Sequence, residues 1–67
     1  MDQAEAEAAW QRVVWADVAV RNATRELALA GRAGLGAEYD KAAQVYLNAY
    51  ANRRAACADY EALTPAP

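Results

Sequence analysis

The chain has no histidine, no serine, no phenylalanine and no isoleucine. The first two absences restrict chemistry. Without them a Ser-His or Cys-His nucleophile pair cannot form within one chain, and neither can a zinc site of the usual Cys and His kind. Cysteine occurs once, at Cys57, so no internal disulfide is possible. Cys57 reads as a small buried apolar residue. Arg53 and Arg54, one turn back, keep a reactive thiol open as the alternative. A net charge of −2 argues against nucleic acid as the main partner, because phosphate neutralisation needs a basic face. No apolar run approaches the roughly 20 residues needed to cross a bilayer. The opening Asp2-Gln3-Ala4-Glu5 has neither a basic region nor an apolar stretch, so no signal peptide is expected. These exclusions point to a protein that is not an enzyme, binds no cofactor or metal, and is cytoplasmic at synthesis.

The other two absences restrict the core. Apolar residues make up 57% of the chain, but twenty of them are alanine. The larger ones are five Val, five Leu, two Trp, four Tyr and Met1. Alanine favours helix more than any other residue and buries little surface. A 67-residue chain of this kind is a single domain with a thin core, which favours association.

Breakers are confined to two places. Glycine occurs only at 31, 34 and 36, and proline only at 65 and 67. The fold class is therefore all-α, a two-helix antiparallel hairpin. One helix spans about 3–30, a Gly-rich turn covers 31–36, a second helix spans about 37–63, and a short Pro-containing tail covers 64–67. Asp2 and Glu5 form a capping-box pattern at the first start, and Thr64-Pro65 stops the second helix. The glycine run is not a phosphate-binding loop, because no Lys-Ser or Lys-Thr follows it.

Inside the helices the apolar residues follow a heptad. Ala9, Ala16, Ala23 and Ala30 recur every seven residues, interleaved with Ala6, Val13, Val20 and Leu27. On the second helix Leu35, Ala42, Ala49, Ala56 and Leu63 recur in the same way, interleaved with Tyr39, Tyr46, Arg53 and Tyr60. Folded about Gly34, the alanines meet as Ala23 with Ala42, Ala16 with Ala49 and Ala9 with Ala56. The larger residues meet as Leu27 with Tyr39, Val20 with Tyr46, Val13 with Arg53 and Ala6 with Tyr60. This packing resembles the close-packed antiparallel alanine coil. Arg53 stands where an apolar residue belongs. Its stem is expected to pack on Val13 while its charge reaches solvent or Asp17. A register lock, or stacking on Trp10, is the alternative.

Eight large apolar residues lie off the seam: Trp10, Val14, Trp15, Val18 and Leu29 on the first helix, Val45, Leu47 and Tyr50 on the second. Two helices share only one mutual face, so these residues are expected to contact other protein subunits, either copies of the chain or a larger assembly. Asp2, Glu5, Glu7, Asp59 and Glu61 crowd the end that carries the termini, as a solvated acidic end or a docking patch for a basic partner or cation. The functional expectation is an oligomeric, non-enzymatic structural subunit of a larger assembly, for instance a virion component. Alanine-rich hairpins of this size are similar in style to small bacteriophage proteins. A helical inhibitor or adaptor, and a homodimeric four-helix bundle, are the other readings. No nucleic acid and no membrane is expected as partner.

Overall fold

A computed structural model describes residues 3–34 and 36–63 of the chain. Two helices account for almost all of them: α1 (Gln3–Ala33, 31 residues) and α2 (Gly36–Leu63, 28 residues). The helices pack against each other as a hairpin. Their antiparallel sense shows in contacts at both ends. The Tyr39 ring lies beside Gly31 near the turn, and the Tyr60 ring lies 5.3 Å from that of Trp10 at the far end.

The turn is tighter than the 31–36 loop expected from sequence. α1 continues through Gly31 and Arg32 to Ala33, and α2 begins at Gly36. Glycine within a helix costs only about 1 kcal/mol relative to alanine, so helix propagation passes through Gly31. The change of direction is made at Gly34, whose φ is +68° and whose N–H donates to the Gly31 carbonyl at 3.2 Å. That left-handed conformation at a helix end is where the absent Cβ matters. Four expectations fall outside the described residues: the Asp2 cap, Leu35 on the seam, the Thr64-Pro65 stop and the tail.

Charge at the ends is uneven. Glu5 in the first turn of α1, Arg32 in its last turn and Glu38 in the first turn of α2 all complement the helix dipole. α2 has no basic residue in its last turn and carries Glu61 there instead, which opposes the dipole.

The interior is small. The buried apolar residues are Ala9, Ala16, Val20, Ala23 and Ala56, four methyl groups and one isopropyl. Ala6, Val13, Leu27, Ala42, Tyr46, Ala49, Arg53 and Tyr60 are half-buried. Tyr39 departs from the seam expected for it and is 44% exposed. It lies in the first turn of α2, where the facing stretch of α1 offers Gly31, which has no side chain to cover the ring. The result is a rod with extents of 49 × 16 × 14 Å and a radius of gyration of 15.2 Å. A compact chain of this length has a radius of roughly 11 Å. The accessible surface is 5045 Å², against roughly 4,100 Å² for a compact monomer of this mass.

Two predictions follow from this packing. Ala16→Leu, at a site 2% exposed, forces three extra side-chain carbons between the helices and lowers stability by about 1–3 kcal/mol. Ala51→Leu, on the exposed side of α2, changes it by less than about 0.5 kcal/mol. At the turn, Gly34→Ala destabilises by about 1–2 kcal/mol because L side chains strain at positive φ. Gly36→Ala, which meets nothing within 4 Å and has no positive φ, stabilises by about 0.5–1 kcal/mol. Thermal and urea unfolding read all four.

Candidate protein-binding surface

The surface left over by the interior divides between two sides of the rod. On one side Trp10, Val14 and Val18 follow one another at intervals of four, so they form a stripe along α1. With Asp17, Arg53 and Cys57 they line a shallow groove between the helices. Tyr50 of α2 joins this side through Arg53, whose guanidinium lies 4.9 Å from the centroid of its ring. Leu47, three residues before Tyr50, shares its face. On the other side, Trp15 lies with Arg12, Asn52 and Asp59 around a smaller depression, and Leu29 lies near Glu26 and Glu38. Val45, seven residues before Asn52, falls on this second side.

All eight off-seam residues are exposed. The largest values belong to Trp15 at 68%, Leu47 at 59% and Val45 at 52%, with Trp10 and Leu29 each at 50%. The two sides are not equivalent. The first gathers Trp10, Val14, Val18 and Tyr50, with Leu47 one turn from Tyr50 on the outer face of α2, and its tryptophan is held against Tyr60 at an interplanar angle of 54°. The second has three apolar residues set among charges. A half-exposed tryptophan against a tilted ring keeps less rotamer freedom than one free in solvent, so covering it costs less ordering.

Arg53 organises the first side. Its Nη1 lies 3.3 Å from Oδ1 of Asp17, across the two helices. Asp17 in turn holds Arg21 at 3.0 Å through Oδ2, one turn along α1. Tyr50 completes the set by stacking under Arg53 while its own ring lies 6.2 Å from that of Tyr46. The aromatic partner of Arg53 is thus Tyr50 of its own helix, not the Trp10 weighed from sequence.

One reach is longer than the facing pairs read from the heptad, and one is as expected. Tyr60, expected over Ala6, carries its ring to Trp10, while Arg53, opposite Val13, brings its charge to the Asp17 expected for it. Each contact lies four residues further along α1. Side chains on a helix lean toward its N-terminus, so a long side chain on α2 projects toward the turn, which is toward higher numbers on α1. The signal was present in the sequence as residue length and chain direction.

The acidic end is open. Glu5, Glu7, Asp59 and Glu61 are exposed. Among the described residues no group of three or more Asp, Glu or Cys is placed to hold a metal ion, and no helix is long and apolar enough to cross a membrane. Comparison with protein-family models, curated proteins and solved structures finds no match to this chain.

The ion pair across the helices is about one-third exposed on both partners, so solvent screens it. A double-mutant cycle on Asp17→Ala and Arg53→Ala is expected to give a coupling of about 0.2–1 kcal/mol. The single Arg53→Ala change costs more than the coupling alone, because the stem's packing and the stacking on Tyr50 go with it.

Proposed function

We propose that this chain is a non-enzymatic structural subunit of a larger protein assembly, and that it works by docking its Trp10 side onto protein. The observation that carries this reading is the imbalance between what the hairpin buries and what it leaves out. Five small residues are buried, and nine large apolar residues, Tyr39 included, are exposed. Apolar surface gathered on one side of a rod, around a tryptophan and a tyrosine already held in place, has the make-up of a contact site.

The inner face fits the same reading. The helices are proposed to meet as an alanine seam, with Ala23 beside Ala42, Ala16 beside Ala49 and Ala9 beside Ala56. Small residues let the backbones approach toward the lower end of the usual ~8–10 Å interaxial range. The seam gives a slender, straight element with its larger side chains turned outward, which suits a subunit that fills or braces a particle such as a virion.

Trp10→Ala and Trp15→Ala test the reading. Light scattering is expected to show Trp10→Ala lowering the associated mass, while circular dichroism shows helix content largely kept. If both variants lose helicity with no association to lose, the tryptophans support the hairpin itself and the reading fails.

A further inference from the structure

We propose that the partner of the Trp10 side is a second copy of this chain, docked end for end, with α1 against α1 and the twofold axis passing at Val14. This rests on the reading of that side as a protein-binding surface, and it deepens that reading by naming the occupant.

The argument begins with charge. Glu7, Val14 and Arg21 are seven residues apart and fall in one line along α1, and Val18 and Arg25 form a parallel line. The charged members share the side with the apolar ones. Glu7 lines a depression with Trp10 and Tyr60, and Arg21 lines the groove with Val14 and Val18. The stripe therefore runs from acid through apolar to base.

Such a stripe is its own complement when reversed. With the axis at Val14, each residue of one copy meets the residue equally far on the other side of Val14 in the second copy. Glu7 then meets Arg21, and Arg21 meets Glu7. Trp10 meets Val18, a large side chain against a small one, and Val14 meets itself. Further out, Gln3 meets Arg25. No like charges face each other along this stripe. In the parallel arrangement Glu7 would face Glu7, Arg21 would face Arg21, and Arg25 would face Arg25. Like-charge juxtaposition of that kind suppresses the wrong orientation. An isologous contact of this type closes as a dimer without leading to a filament.

The overlap is large enough for a specific contact. With the axis at Val14, residues 3–25 of α1 lie opposite their counterparts, a length of roughly 34 Å at 1.5 Å per residue. Across the 16 Å width of the rod this covers roughly 550 Å² per copy, or roughly 1,100 Å² in all, just above the roughly 1,000 Å² that a specific interface needs. The Asp17–Arg21 pair need not break, because it uses Nη2 of Arg21 and the remaining guanidinium N–H groups can donate to Glu7 of the other copy.

Sedimentation equilibrium over a concentration series tests this on the full chain and on Glu7→Arg, Arg21→Glu and the double variant Glu7→Arg with Arg21→Glu, with circular dichroism confirming helix content. Each single reversal breaks two symmetry-related contacts and is expected to raise the dimer dissociation constant by about tenfold. The double variant restores opposite charges across the axis and is expected to return to within about threefold of the parent. A parent chain that stays monomeric up to about 1 mM overturns the proposal. So does a double variant no tighter than the weaker single. If Trp10→Ala still weakens association in that last case, the Trp10 side keeps its role as a protein-binding surface and only the end-for-end dimer is lost.

Discussion

The structure depends on how little an alanine methyl fills. Where α1 and α2 meet, the buried positions among the described residues are Ala9, Ala16, Ala23 and Ala56, with Val20 alone among larger residues. Each methyl contributes a small transfer free energy, on the order of 1 kcal/mol or less. Most of the larger apolar side chains, Trp10, Trp15, Leu29 and Leu47 among them, lie outside this interior and are exposed. The surplus surface of the rod goes with the small size of the residues it buries.

These larger side chains are not scattered evenly. Heptad spacing sends Trp10, Val14 and Val18 to the side where Arg53 crosses from α2, and sends Trp15 and Leu29 to the other. Around the groove on the first side the polar groups are paired with one another. Asp17 holds both Arg21 and Arg53, and Arg53 covers Tyr50. A partner arriving there meets apolar surface bordered by an ion-pair network at its centre and by Glu7 and Arg25 toward its ends. The proposed role as an assembly subunit and the proposed second copy both draw on this arrangement.

Much of the fold is legible from the sequence, because alanine, glycine and proline each act locally. Helix propensity and the placing of glycine and proline yield the two helices, and the seven-residue recurrence picks out Ala9, Ala16 and Ala23, which the structure buries. What the sequence leaves hidden depends on reach and context. Gly31 looks like part of the loop, yet it is helical, because the cost of one glycine is smaller than the gain from propagating α1 to Ala33. Tyr39 fits the heptad but lies where α1 offers only a glycine, so its ring stays exposed. Tyr60 contacts α1 one turn beyond its facing residue because of its lean, which a count of positions does not capture. For the candidate surface, sequence separates seam from surplus, whereas the division of that surplus into two unequal sides comes from the three-dimensional arrangement.

The central claim is that this hairpin is completed by covering its Trp10 side with another copy of itself. Its most direct test is the melting temperature of the unmodified chain as a function of its own concentration. When folding and pairing are coupled, mass action stabilises the paired state, and a dimer of this size is expected to gain roughly 5 °C for each tenfold increase in concentration. A melting temperature that stays constant across a hundredfold range would contradict the account.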